Sequence, residues 1–198
     1  MERGARKLAP LMPALSFRKG GTMGDKTEID APASTNGTDE YRFGYTHEEI
    51  GRLKYQHHVW GKENQRFISR AGFNAGKTLV DLGCGPGYTT LDLAQIVGPE
   101  GKVIAVDRDG ERSLPLLKAQ AEAIDLFNIE TREANLESFD LQEESVDGVY
   151  GRWALMYLPE ATVKSLIDRM AKWLRPGGVC ALTEFCNYRH IHLSLIHI

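Results

Sequence analysis

The sequence predicts an open α/β fold: a doubly wound, mostly parallel sheet with helices on both faces. Three observations carry that expectation. Short apolar runs (Leu79-Val80 with Leu82, Val103 to Val106, Val146 to Tyr150) are near-continuous rather than alternating, as in parallel strands covered on both faces. They are separated by segments whose apolar residues recur at helical spacing, the alternation that builds a parallel sheet. The first run also breaks into Gly83-Cys84-Gly85-Pro86-Gly87 before a helical pattern begins. Strand, glycine turn and helix in that order open a nucleotide-binding βαβ unit.

The totals agree with one such domain. A chain of 198 residues can bury a sizeable core. A formal net charge of −3 carries no polyelectrolyte signature, so nucleic acid is not expected as the main partner. Cys84, Cys180 and Cys186 form no paired spacing and no metal-ligand cluster, which suits a reducing compartment. No apolar run approaches the length of a membrane-spanning helix. The expectation is a soluble, cytoplasmic protein with no membrane partner and no metal.

Residues 1–40 read as a disordered or linker-like extension. A basic stretch with Arg3, Arg6, Lys7, Arg18 and Lys19 precedes a segment rich in Ala, Pro, Ser, Thr and Gly around Ala31 to Thr38. The domain is expected over residues 41–186. Thr46-His47-Glu48-Glu49 is a capping box, and Ile50, Leu53, His57 and Trp60 follow on one helical face. Read from the residues alone, Trp60 packs in the core with the histidines at its edge. A second helical stretch runs from Glu63 to Ala71, and a turn at residues 72–78 leads into the first strand. Gly76-Lys77-Thr78 mimics the end of a phosphate-binding loop, but it precedes a strand where such a loop must follow one.

The helix after the glycine turn is stopped by Gly98-Pro99. Gly110 to Asp125 is mostly helix, its first turn near Ser113, with Leu114, Leu117, Ala121 and Ile124 on one face. Ile129 to Arg132 is a poor strand by pattern, required only by the βα alternation. Glu160 to Leu174 is a helix with the apolar stripe Val163, Leu166, Ile167, Met170, Ala171 and Leu174, ended by Arg175-Pro176-Gly177-Gly178. Val179 to Phe185 is the last strand, and residues 187–198 read as an irregular tail. His190, His192 and His197 there have no acidic or cysteine neighbours to complete a metal site.

The spacing at the glycine turn constrains the ligand. A dinucleotide fingerprint reads G-x-G-x-x-G with a pyrophosphate on the helix N-terminus. Here the order is Asp81-x-Gly83-x-Gly85-x-Gly87. An acid at the end of the strand repels a pyrophosphate and suits positive charge. The second strand also ends in an acid, Asp107, at the distance expected of a ribose-binding carboxylate, whose two oxygens accept from two hydroxyls at once. The ligand reads as a nucleoside with a cationic tail and no phosphate. Arg152, at the carboxyl end of the strand through Tyr150, is a further candidate contact, since ligands of open α/β sheets sit outside those strand ends.

Val80-Asp81-Leu82-Gly83-Cys84-Gly85-Pro86-Gly87, Val106-Asp107, Asn135-Leu136, Val146 to Tyr150 and Leu174-Arg175-Pro176-Gly177-Gly178, taken as an ordered set, resemble the class I S-adenosylmethionine-dependent methyltransferases. The resemblance implies a Rossmann-like fold, S-adenosyl-L-methionine as cofactor and methyl transfer to a small-molecule acceptor. It implies cofactor-binding roles for Asp81, Gly83, Gly85, Gly87, Asp107, Arg108, Asn135, Leu136 and Arg152, and an amino-terminal helix over the cofactor in which Tyr45, His57, His58 and Trp60 help form a lid. Asn135 stands where the family commonly has an acid that accepts from the adenine amino group, so that hydrogen bond is expected to be weaker. Glu184 and Tyr157 fall near the site by topology, and no catalytic base is assigned to either. The family continues with a further helix and a closing hairpin, which implies a truncated domain whose last strand is an uncovered edge. The alternatives are a non-catalytic S-adenosylmethionine-binding fragment and a nicotinamide-dependent oxidoreductase, the latter disfavoured by Asp81 and the glycine spacing.

Overall fold

The computed structural model describes residues 46–184. The expected extension at 1–40, Tyr45, the end of the last strand at Phe185 and the tail at 187–198 lie outside the described residues. Five strands form one parallel sheet in the order β3-β2-β1-β4-β5, built from β1 (Thr78–Leu82), β2 (Lys102–Asp107), β3 (Ile129–Glu133), β4 (Val146–Arg152) and β5 (Leu174–Thr183). Helices α1 (His47–Arg70), α2 (Tyr88–Val97), α3 (Ser113–Glu122) and α4 (Glu160–Trp173) complete it. The order reverses between β1 and β4, and the carboxyl ends of these two strands flank the crevice where such sheets take ligands.

Successive residues of β1 feed different cores. Leu79 packs with Ile68, Leu93, Ala94 and Val97 of α1 and α2, while Val80 and Leu82 pack with Leu166, Met170 and Trp173 of α4. Burial on both faces is why this strand shows no polar alternation. β3 is partly buried from Ile129 to Arg132, with Glu133 exposed, and pairs with β2 from Val103↔Ile129 to Asp107↔Glu133. The βα alternation therefore placed correctly a strand that its own residues barely signal.

Four expectations need correction. The two amino-terminal helical stretches are one helix, α1. A Cβ at Gly61 would meet nothing within 4 Å, and one interior glycine costs only about 1 kcal/mol. Thr46 caps the helix by accepting from the Glu49 amide at 3.2 Å, and the Glu49 carboxylate is held by both Arg52 nitrogens at 2.6 Å. Trp60 is not in the core: it is 45% exposed and meets Trp153 edge-on at 6.0 Å. Ile124 lies past the end of α3 and is exposed, because the chain turns at Asp125 with φ +54°. Finally, β5 begins at Leu174, with no glycine-rich break separating it from α4. Leu174 pairs with Val146 and Val179 with Gly148, so Arg175 to Gly178 bulge opposite Asp147. The Asp147 carboxylate ties that bulge down by accepting from the Thr78 amide at 2.8 Å and from Arg175 Nη1 at 2.9 Å.

Among the described residues β5 pairs only with β4, and none of the helices is long and apolar enough to cross a membrane. Cys84 and Cys180 are both free thiols.

Candidate active site

The turn from β1 into α2 is shaped by three glycines of positive φ: Gly83 (+66°), Gly85 (+52°) and Gly87 (+82°). Their reasons differ. A Cβ on Gly83 would stand 2.5 Å from Ala154 Cβ, and one on Gly87 would stand 2.9 Å from Leu117 Cβ. These two let neighbouring segments pack against the turn. A Cβ on Gly85 would meet nothing within 4 Å, so only Gly85 opens onto space that a ligand can take. Gly85→Ala is expected to cost about 1–2 kcal/mol of stability from the left-handed backbone while sharply weakening ligand binding. Unchanged affinity by calorimetry would contradict that assignment.

Both acids sit where the sequence placed them. Asp81 is 2% exposed and accepts from the Thr90 hydroxyl at 2.6 Å. Burial pushes its carboxyl up to about 7, opposed by the Thr90 hydrogen bond and by the charge of Arg152. Since the folded value lies above the unfolded one of about 4, the protonated folded state is favoured at low pH. That contribution is full below about pH 4 and is lost as pH rises through about 7. Urea unfolding of the ligand-free protein should therefore show stability falling across this window, and Asp81→Asn should flatten the fall. An identical slope in the variant would refute it.

Asp107 clamps the turn. Its Oδ2 accepts from the Gly85 amide at 2.8 Å and its Oδ1 from the Asp109 amide at 2.9 Å. Burial raises its carboxyl, opposed by these two bonds. A carboxylate has about four lone-pair positions, so each oxygen keeps one for a ligand hydroxyl. Arg108 follows at the end of β2 with an exposed side chain.

Asn135 and Leu136 lie after β3. The Asn135 Oδ1 accepts from the Glu137 amide at 3.1 Å, so the amide oxygen is partly spent on its own turn. The Leu136 side chain is buried in the core, with Cδ1 4.0 Å from where a Gly83 Cβ would be. Arg169 of α4 donates to the carbonyls of Leu136 (2.9 Å), Glu137 (3.0 Å) and Phe139. This arginine fixes the turn across the sheet face, a role that helical spacing does not reveal.

Arg152 ends β4. The register Leu82↔Gly151 sets it level with Gly83, and it lies beside His57 of α1. Pattern reading missed two further groups, Thr90 and Asp92, and placed Glu184 nearby without a role. Thr90 holds Asp81. Asp92, the only charged residue of α2, stands with Oδ2 3.6 Å from His57 Nε2; a lone charge in an otherwise uncharged helix was its available signal. Glu184 accepts from the amides of Ala154 (3.1 Å), Leu155 (2.9 Å) and Met156 (3.4 Å). It thereby caps the short 3-10 helix Leu155–Tyr157, so its carboxylate has a structural employment at the rim.

Sheet order, glycine turn and paired acids together define an α/β domain whose candidate ligand site lies at the switch point of its sheet. The chain belongs to the methyltransferase domain family, whose model matches residues 79–178. It is 39% identical over 119 residues to phosphoethanolamine N-methyltransferase 1 of Triticum aestivum, covering 58% of this chain and 22% of that one. It is 32% identical over 131 residues to demethylmenaquinone methyltransferase of Lactococcus lactis subsp. lactis (strain IL1403), covering 65% and 50%. The chain spans about a fifth to a half of the length of these curated relatives. Among solved structures it is similar to a SAM-dependent methyltransferase from Aquifex aeolicus, with TM-score 0.58 and 21% identity over 67% of this chain and 69% of that one. It is also similar to coclaurine N-methyltransferase, solved with N-methylheliamine and SAH, with TM-score 0.54 and 21% identity over 61% and 33%. At these identities the structural likeness is one of fold, and it is the Rossmann-like fold expected.

Proposed function

We propose that the protein binds S-adenosyl-L-methionine in the crevice between β1 and β4 and transfers its methyl group to a small-molecule acceptor in a reducing, cytoplasmic setting. The observation that carries this reading is the turn itself: an open approach at Gly85 between two buried carboxylates, Asp81 and Asp107. The cofactor supplies a sulfonium whose methyl group is already attached to a good leaving group, the S–CH3 electron pair returning to sulfur as the acceptor's lone pair takes the methyl. The chain then has to align and shield rather than activate, and alignment alone is worth several orders of magnitude in rate. Asp107 holds the ribose hydroxyls with its remaining lone pairs, and Arg108 lies at the rim beside it. Asn135 and Leu136 face the base, steadied by Arg169. Gly83, Gly85 and Gly87 set the backbone path along which the tail lies, and Asp81 balances its positive charge. The relatives named as acting on phosphoethanolamine and demethylmenaquinone support a small acceptor.

Differential scanning calorimetry tests the reading. A ligand at one hundred times its Kd stabilises the native state by about 2.7 kcal/mol. S-adenosylmethionine and S-adenosylhomocysteine should each raise Tm, and NAD should leave it unchanged. Stabilisation by NAD alone would overturn the proposal.

A further inference from the structure

Helix α1 is fastened to the sheet in two different ways. Its second half uses uncharged contacts. Asn64 Oδ1 accepts from the Tyr150 hydroxyl at 2.5 Å, Phe67 meets Tyr150 edge-on at 6.4 Å, and Ile68 is buried in the core. Nearer its start, the helix reaches the end of β4 through His57, whose Nδ1 lies 3.3 Å from Arg152 Nη2, and through Trp60 against Trp153. His57 is the side chain of that joint that titrates near neutral pH, and the proposed transfer does not use it.

The two ring nitrogens of His57 face opposite charges. A guanidinium only donates, so the Arg152 contact requires an unprotonated Nδ1. The ring proton therefore sits on Nε2, facing Asp92 Oδ2 of α2 at 3.6 Å. The imidazole also stacks on Tyr88 of α2, with ring centres 5.8 Å apart and planes 29° apart. A second proton can enter only at Nδ1, where the new N–H points at a cation. The surroundings weigh against that proton. Burial lowers the proton affinity of the ring, Asp92 opposes the effect, and Arg152 and the neighbouring His58 add to it. Burial raises the Asp92 carboxyl, opposed by His57 and Arg152, so its hold on a charged ring fades as pH falls. Arg152 keeps its charge throughout and also faces the field of Asp81 from β1.

We propose that His57 is a proton-operated latch: neutral, it ties α1 to Arg152 at the end of β4; protonated, it lets Arg152 go and loosens the first half of α1 from the sheet. The pH window follows from linkage. Above about pH 6.5 the ring is neutral whether latched or free. As pH falls below that, the freed ring binds a proton that the latched ring resists, so the latched state loses stability through its lowered value. This runs opposite to the contribution of Asp81, which strengthens the whole fold in acid. Acid therefore loosens one end of one helix while the sheet beneath it tightens.

Hydrogen exchange of the full chain, read by mass spectrometry, tests the latch. Protection over residues 53–61, corrected for the intrinsic pH dependence of exchange, should fall at least about threefold between about pH 7 and about pH 5. A ring of ordinary affinity sets a limit of about thirtyfold over that range. Helix α4, on the other face of the sheet, should hold its protection or gain. His57→Gln offers Arg152 an amide oxygen and Asp92 an amide N–H but cannot titrate, so its protection over 53–61 should not change with pH. Asp92→Asn removes the charge that favours the protonated ring and should deepen the fall. Constant protection in the unaltered protein, or an undiminished fall in His57→Gln, would overturn the latch. An equal fall in α4 would also overturn it, since the whole fold would then be opening. The nitrogen chemical shifts of His57 in the unaltered protein give a check that needs no variant: the Nε2–H tautomer is expected at about pH 7, and the Nδ1–H tautomer would contradict the latch. No ligand enters these measurements, so their failure leaves the proposed function standing.

Discussion

Asp107→Ala should abolish the discrimination between S-adenosylhomocysteine and its analogue lacking both ribose hydroxyls. In the proposed complex each hydroxyl donates to a carboxylate oxygen, and a hydrogen bond to a charged group is worth about 1.5–3 kcal/mol. Loss of each should therefore weaken binding roughly ten- to a hundredfold. The comparison between ligands matters because Asp107 also has a structural role. Its oxygens also hold the Gly85 and Asp109 amides, so the substitution loosens the turn and weakens every ligand. Only the ribose contact changes the ratio between the two ligands. If the variant still prefers the hydroxylated ligand by the same factor, Asp107 is a clamp for the turn and nothing more.

Gly87→Ala is expected to damage stability strongly. A side chain at φ +82° costs about 1–2 kcal/mol for the left-handed backbone. The new methyl would also sit 2.3 Å from Leu117 Cδ1 and 2.9 Å from its Cβ, and the Cβ cannot swing away without moving α3. Overpacking of this kind costs about 1–3 kcal/mol. A total of about 2–5 kcal/mol should appear as a lower denaturation midpoint with an unchanged slope. The contrast with Gly85→Ala is informative, since that position has free space and should lose affinity far more than stability. Equal stability losses at the two positions would show that Leu117 does not dictate the glycine at 87.

How much of this was legible beforehand depends on distance along the chain. The strand, glycine turn and helix at Leu79 to Val97 are local, and so are the acids that end β1 and β2. Composition and spacing expose them because one short segment contains the whole cause. The βα alternation located β3 even though Ile129 to Arg132 lack a strong strand pattern, whereas the strand order came only from the structure. What failed was governed by partners far away. Arg152 meets His57 across 95 residues, and Glu184 caps a turn about 30 residues earlier. Arg169, which looks from spacing like a cation placed for its own helix end, reaches the carbonyls after β3. The equal spacing of Gly83, Gly85 and Gly87 also concealed three different neighbours. Residue type announces that backbone freedom is needed, and only packing says what it is for.

Crystals grown with S-adenosylhomocysteine examine the central claim most directly. The account predicts adenosine between β1 and β4, with both ribose hydroxyls on Asp107 and the chain of the ligand passing over Gly85. Density for that ligand elsewhere, or a crevice that takes NAD with its pyrophosphate on the start of α2, would contradict it.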